Sequence, residues 1–174
     1  MPGDKQGRPG RSITLVGFMA AGKSKIGRRL ADQLGMPFID TDQQIEAVSG
    51  MPVAEIFGTK GEAEFRRAER EAIARLLEGE AKIMAVGGGA FVDPENRARL
   101  KEASRTVWLD PPFKVLLSRL TRSNARPLAA GRSEGELRAL WEERRASYAE
   151  ADVRIATSDE DPQRYVDEII VKLD

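Results

Sequence analysis

The sequence predicts an α/β fold in which helices pack on a parallel β-sheet, and three features point to it. Short apolar runs alternate with longer amphipathic stretches, the pattern of successive βαβ units. A glycine-rich turn joins the first apolar run to the first amphipathic stretch, where a strand must pass tightly into a helix. The chain has 174 residues, a single domain's length and enough to bury a core without disulfides or a structural metal.

Five runs read as strands: Ile13 to Val16, Pro37 to Ile39, Ile83 to Val86, Thr106 to Leu109 and Val153 to Ala156. Each is short and apolar enough to be covered on both faces, as parallel strands are. Helices are predicted between them. Gly22 to Leu34 repeats Ile26, Leu30 and Leu34 on one face, and Glu62 to Leu77 carries Phe65, Ile73, Leu76 and Leu77. Further helices are expected at Pro94 to Lys101, Phe113 to Leu120 and Ser133 to Ala149, with Pro162 opening a closing helix that ends near Leu173. Met1 to Arg11, rich in Gly, Pro and charge, reads as a disordered leader, and residues 12–174 as one domain without repeats or linkers. The polar stretch Thr121 to Arg132 is long for a connection in a compact domain, and such loops often serve as mobile lids.

Composition narrows the chemistry. Lys and Arg number 28 and Asp and Glu 28, so no net field draws the chain to nucleic acid or an anionic membrane, and a bound anion needs a local site. Cysteine and histidine are both absent. Thiolate catalysis is excluded, and acid–base work falls to Asp, Glu, Lys or Tyr. No apolar run approaches a membrane span, and the leader has no apolar segment of the kind a signal peptide needs. A cytoplasmic protein, a monomer without nucleic-acid or membrane partners, is expected.

Gly17-Phe18-Met19-Ala20-Ala21-Gly22-Lys23-Ser24 fits the spacing G-x-x-x-x-G-K-S between a strand and a helix. A loop that turns into a helix N-terminus aims several backbone N–H groups at one point, where phosphate oxygens fill the concavity and the helix dipole favours them. Lys23 is placed to reach the β- and γ-phosphates of a nucleotide, and the Ser24 hydroxyl to ligand Mg²⁺. Asp40 and Asp110 each close an apolar strand and either could be the metal-directed carboxylate, although Asp110, followed by Pro111 and Pro112, reads better as a turn residue. No Asn-Lys-x-Asp guanine-reading segment occurs.

Taken with that loop, Asp40-Thr41-Asp42, Gly61-Glu62 followed by Phe65-Arg66-Arg67, Gly87-Gly88-Gly89, Arg126-Pro127-Leu128 and Arg145-Ala146-Ser147-Tyr148 resemble the shikimate kinase family, in order and spacing, from about Ile13 to Leu173. The resemblance implies a three-layer P-loop kinase fold: a five-stranded parallel sheet in order 2-3-1-4-5, helices on both faces and a mobile lid. It implies phosphoryl transfer from MgATP to the 3-hydroxyl of shikimate, with the acceptor region at about 40–67 and the lid at about 121–132. Asp42 matches the family's hydroxyl-orienting aspartate, Asp40 a carboxylate near the metal, Arg66 and Arg145 the carboxylate-binding arginines, and Gly88 a backbone contact to substrate. Arg119 matches an arginine over adenine. Ala20, Ala21, Gly22, Lys23, Ser24 and Lys25 form the ATP loop.

The same residues also have plainer readings. Thr41 and Gln44 have capping-box spacing, so Asp42 could serve only a helix start; Arg66, four residues after Glu62, could be a surface ion pair; Gly87 to Gly89 could be a turn. Arg126 takes meaning from its place in the lid, from which a cation could swing onto the transferring phosphate as an arginine finger does. Three departures from the family pattern stand out. Ala20 replaces a usual Gly, from which a backbone that is not left-handed is expected there; Lys25 replaces Thr; and the adenine loop Ser158 to Pro162 is acidic, with Glu160 where arginine can occur. A kinase of another hydroxy acid such as gluconate, or a catalytically idle nucleotide-binding regulator, are the other functions compatible with a P-loop of this kind.

Overall fold

In the computed structural model, residues 10–122 and 131–174 are described. The elements run β1 (Ser12–Val16), α1 (Lys23–Leu34), β2 (Phe38–Asp40), α2 (Thr41–Ser49), α3 (Val53–Lys60), α4 (Glu62–Leu76), β3 (Ile83–Ala85), a 3₁₀ turn (Ala90–Val92), α5 (Pro94–Ala103), β4 (Ser104–Asp110), α6 (Phe113–Thr121), α7 (Glu134–Tyr148), β5 (Val153–Ala156) and α8 (Pro162–Leu173). The strands form one five-stranded sheet in the order β2-β3-β1-β4-β5, every pair parallel. The order and direction are those expected.

β1 lies at the centre, its five residues all buried. Ile13, Leu15 and Val16 meet Ile83, Met84, Val107 and Leu109 in the main core, and the inward hydroxyl of Thr14 is satisfied by Ser104 Oγ at 2.8 Å. Helix α1 packs very closely on the sheet. A Cβ added to Gly27 would come within 2.6 Å of Phe38 Cε2 and 3.2 Å of Leu15 Cδ1, so only glycine lets the helix axis sit this near the strands.

Strand ends agree with the expectation to within one or two residues, and the helix that Asp42 was expected to begin is α2. Helix α3 was not anticipated. Gly50 and Pro52 break the pattern around it, and its sequence includes a β-branched start and Gly58, all of low helix propensity. Tertiary packing outweighs that: Ile45, Ile56, Phe65 and Ala72 close a second, smaller apolar cluster among α2, α3 and α4. The helix cap also differs. Asp40, not Thr41, caps α2, accepting from the backbone N–H of Asp42 at 2.9 Å and Gln43 at 3.3 Å, while Thr41 is buried inside the helix start. The leader residues 1–9 and residues 123–130 of the expected lid lie outside the described residues.

Gly27→Ala is expected to lower stability. Overpacking of a well-filled core costs about 1–3 kcal/mol, more than the ~1 kcal/mol that alanine adds to a helix interior. Urea unfolding should show a lower midpoint with an unchanged slope; a higher midpoint would mean that α1 can back away freely.

Candidate active site

The turn leaving β1 runs close beneath the end of β4. Gly17 has φ of 149°, and a Cβ there would stand 2.7 Å from the carbonyl oxygen of Leu109. The chain then reaches Gly22, whose φ of 94° starts α1 without any side-chain cap. The first N–H groups of α1 are thereby left to a ligand, the arrangement that receives phosphate. Lys23 Nζ donates to the carbonyls of Gly17 at 2.6 Å and Phe18 at 3.1 Å, which folds the ammonium over the loop it serves.

Ala20 corrects an expectation. Its φ is 66°, in the left-handed region that an L-residue enters at a cost on the order of 1 kcal/mol. Two contacts hold it there: the methyl group is packed in the core, and the Ala20 carbonyl accepts from Arg119 Nη1 at 2.9 Å. The loop's shape is retained without the glycine, and tertiary contacts carry the strain.

Beyond the loop opens a cleft of about 480 Å³ lined by residues 20–26, Arg28, Arg119 and the segment from Thr157 to Glu160. Arg119 spans it, bonding Asp159 Oδ1 at 2.9 Å as well as Ala20. The acidic segment is largely neutralised locally. Asp159 takes Arg119, Glu160 pairs with Arg164, and Asp161 caps α8 through the Gln163 N–H at 3.0 Å. Lys25 lines the same cleft.

Ser24 Oγ donates to Asp40 Oδ2 at 2.7 Å, so the hydroxyl at the helix start and the carboxylate at the end of β2 form one oxygen pair. Among the described residues no group of three or more His, Cys, Asp or Glu is gathered as a metal centre. A pair of oxygen donors fits a small hard cation that takes its remaining ligands from phosphate and water. Asp110 is unavailable for this: its carboxylate receives Arg145 Nη1 at 2.7 Å, Arg145 Nη2 at 3.1 Å and Arg154 Nε at 2.8 Å.

The second half of the site lies around Gly87 to Gly89, after β3. Cβ positions built on these glycines measure what surrounds them. Gly87 faces Asp42 Oδ1 and Glu69 Oε2, each at 3.1 Å; Gly88 faces Arg144 Nη1 at 3.5 Å; Gly89 lies against the guanidinium of Arg66, with Cζ at 2.7 Å. Tyr148 donates its hydroxyl to the Gly88 carbonyl at 2.5 Å. Two carboxylates and two guanidiniums therefore ring one stretch of bare backbone. Three of the atoms aimed there, Asp42 Oδ1, Glu69 Oε2 and Arg144 Nη1, are buried without a hydrogen-bond partner. Buried orphan polar atoms are costly; a cluster of them beside one loop makes it a candidate site for a polar ligand.

Charge in this pocket is finely set. Burial pushes the Asp42 carboxyl above its ordinary range, with Asp40 adding to the effect and Lys23 and Arg66 opposing it. Glu69, wholly buried, is pushed up to about 7 by burial, against the pull of Arg66, whose Nη1 donates to Glu69 Oε1 at 2.9 Å.

Lys23, Ser24, Asp40, Asp42, Arg66 and Gly88 are thus gathered at the carboxyl edge of the sheet, with Arg119 across the cleft. Arg145 is not. It lies between the rings of Trp108 and Trp141, at 4.9 and 4.6 Å from their centroids, and is bound to Asp110. Its neighbour Arg144 is the buried arginine that reaches Gly88. The signal was in the helix period: Leu137, Arg144 and Tyr148 are the buried residues of α7, at i, i+7 and i+11, so Arg144 occupies the inward stripe and Arg145 its flank. Glu69 was missed too, three residues from Arg66, where an ordinary i,i+3 pair hides a buried partner. Arg126 lies outside the described residues.

A phosphate loop at the centre of a parallel sheet, an oxygen pair for a hard cation and a separate pocket for a polar acceptor define a P-loop kinase of small molecules. The family model described as shikimate kinase matches residues 19–174. The chain is 47% identical over 161 residues to the shikimate kinase of Paramagnetospirillum magneticum, covering 92% of this chain and 83% of that one. The shikimate kinase of Acinetobacter baumannii, solved in complex with shikimate, superposes with a TM-score of 0.92 at 34% identity, over 95% of this chain and 94% of that one. This chain belongs to the shikimate kinase family. A gluconokinase from Sinorhizobium meliloti, with a TM-score of 0.61 and 20% identity over 95% of this chain and 93% of its own, shares the fold alone.

Glu69 makes a pH prediction. A carboxyl whose folded pKa is raised from 4.5 to about 7 adds stability that is fully present below pH 4.5 and lost as pH rises through 7. Glu69→Gln should therefore flatten the fall in stability between about pH 5 and 8, by up to ~3 kcal/mol relative to the parent chain. Urea unfolding at the two pH values measures it; equal slopes in both proteins would place the Glu69 carboxyl at its ordinary pKa.

Proposed function

We propose that this chain transfers the γ-phosphoryl group of ATP to the 3-hydroxyl of shikimate, with the residues described above in defined roles. The carrying observation is the pairing of orphan acceptors with an orphan donor around Gly87 to Gly89. Asp42 Oδ1 and Glu69 Oε2 want hydroxyl donors, and Arg144 with Arg66 wants a carboxylate. Shikimate, a carboxylate bearing ring hydroxyls, offers both. Its ATP partner fits the cleft on the other side of the loop.

In this reading the backbone amides at the start of α1 hold the β-phosphate, and Lys23 shifts from the Gly17 and Phe18 carbonyls to the β- and γ-phosphates. Ser24 and Asp40 would hold the Mg²⁺ that accompanies ATP, and the ion would supply positive charge beside the phosphates. Arg66 and Arg144 fix the acceptor's carboxylate by bidentate bonds. Asp42 accepts from the attacking hydroxyl and orients it in line with the γ-phosphorus. The oxygen–phosphorus bond to the acceptor forms as the bond to the β-phosphate bridge breaks, and the hydroxyl proton leaves toward Asp42. Arg126 enters the reading from the sequence, as the cation over the transferring phosphate.

The wider reading treats residues 12–174 as one domain, with 40–67 as the acceptor region, acting as a cytoplasmic monomer. Among the described residues no helix is long and apolar enough to cross a membrane, and the cysteine-free sequence suits a reducing compartment.

A coupled ADP-release assay across shikimate, gluconate and no acceptor tests the function: turnover should require shikimate. ADP release that ignores the acceptor would overturn it. Lys23→Ala should cut kcat by on the order of 10²-fold or more, as the loss of one preorganised cation does. Arg66→Lys and Arg144→Lys should each raise the KM for shikimate about tenfold, because an ammonium has no planar fork. The methyl ester of shikimate should be disfavoured by a similar factor in the parent enzyme, and equal use of acid and ester would remove the carboxylate clamp.

A further inference from the structure

Arg145 and Asp110 touch nothing in the pocket described above, yet both are heavily bonded. Asp110 stands at the end of β4 with its side chain almost wholly buried and takes two guanidiniums, Arg145 from α7 in a bidentate pair and Arg154 from β5 with Nη2 at 2.6 Å. Arg145 is also sandwiched by Trp108 of β4 and Trp141 of α7. Trp141 meets Phe113 of α6 in a tilted contact at 5.3 Å, and Arg138 lies over the Phe113 ring at 4.5 Å. On the opposite side Trp108 meets Tyr148 at 5.9 Å, and Tyr148 bonds the Gly88 carbonyl. A chain of ring–ring and cation–ring contacts thus runs from α6 through α7 to the loop that carries the acceptor pocket.

We infer that the Arg145–Asp110 pair is a positioning device for the acceptor site: it sets the height and rotation of α7 on the sheet, and through them the places of Arg144 and of the Gly88 carbonyl. This rests on the acceptor pocket assigned above. The need for such a device follows from α7 itself. Of its fifteen residues only Leu137, Arg144 and Tyr148 are buried, and two of those three belong to the pocket. Leu137 and the ring of Tyr148, with the partly exposed Leu140 and Trp141 beside them, supply apolar contact, which is non-directional and does not by itself fix the rotation of the helix. A bidentate ion pair with both guanidinium faces stacked fixes distance and rotation together, since the fork sets direction and the rings forbid tilting. Arg145 follows Arg144 directly, so a shift of one moves the other.

Loss of the pair should act on the acceptor and not on the nucleotide. The P-loop and its cleft are built from β1, α1, Arg119 and the segment after β5. That segment meets Asp110 through the backbone: the Asp110 carbonyl accepts from the Thr157 N–H at 3.3 Å, a bond that Asp110→Asn keeps. The full chain carrying Asp110→Asn, Arg145→Lys or both should show the KM for shikimate raised about tenfold, with kcat and the KM for ATP within about twofold of the parent. The doubly substituted protein should be no worse than the singles, as expected of two halves of one interaction. Lysine should fail to rescue because it neither forks nor stacks. Asp110→Asn separates positioning from direct contact, since a contact role for Arg145 would leave this variant unimpaired.

Two readouts need no substrate. Trp108 and Trp141 are the chain's only tryptophans, so emission of the unliganded protein should change in both single variants. Amide hydrogen exchange at Ala90 and Val92, whose N–H groups bond the Gly87 and Gly89 carbonyls, should quicken relative to β2 at the far edge. If the parent protein ignores shikimate, the assigned function fails, and exchange at Ala90 and Val92 still decides the positioning role. Unchanged exchange, or a parent enzyme that uses shikimate while the variants keep its KM or raise both KM values alike, would overturn the inference.

Discussion

Strand β1 has a neighbour on each side and no exposed residue, so the chain leaving Val16 must emerge at the carboxyl edge of the sheet and turn at once into α1. The rest of the site depends on that exit. It aims the helix N-terminus at a fixed point, and the approach of Gly17 to Leu109 ties the loop's height to the end of β4. The neighbouring strands end at the same edge, which is why Asp40 at the end of β2 meets Ser24 and the glycines after β3 lie against Met19 and Arg144. Ligand sites outside the carboxyl ends of parallel strands follow from this geometry.

The acceptor pocket solves a different problem, how to keep two guanidiniums close together before an anion arrives. Arg66 and Arg144 would repel one another across Gly88 and Gly89 if nothing opposed them. Glu69, buried and bonded to Arg66, sets an acceptor oxygen against that guanidinium, and Asp42 adds a second acid nearby. Burial pushes both acids towards their neutral forms, so they offset the two arginines only in part. In the proposed function the acids take the hydroxyls of the acceptor and the arginines its carboxylate.

Neighbouring residues can have unlike fates on one helix. Arg144 and Arg145 are chemically identical, yet a 100° step around α7 sends one into the pocket and the other between two tryptophans. The motif Arg145-Ala146-Ser147-Tyr148 was legible as a resemblance, but the choice of arginine was a question of phase. Tyr148, the residue that anchors the inward stripe, is one full turn from Arg144 and three residues from Arg145. Counting back from the buried tyrosine at helical period marks Arg144 as the inward arginine.

The sequence by itself determined the alternation of strands and helices and the phosphate loop with Lys23 and Ser24, because these depend on short-range patterns: apolar runs and the spacing of glycines and lysine. The strand order and the places of Asp40, Asp42, Arg66 and Gly88 came from the resemblance to the shikimate kinase family. Tertiary structure alone decided that Ala20 takes a left-handed backbone, since a packed methyl and the bond from Arg119, ninety-nine residues away, offset a local preference. It also decided that Val53–Lys60 is helical, that Asp110 serves two arginines and not a metal, and that Glu69 is buried beside Arg66. Each of these is settled by partners distant in the chain, and burial and charge pairing in the folded molecule outweigh what neighbouring residues favour.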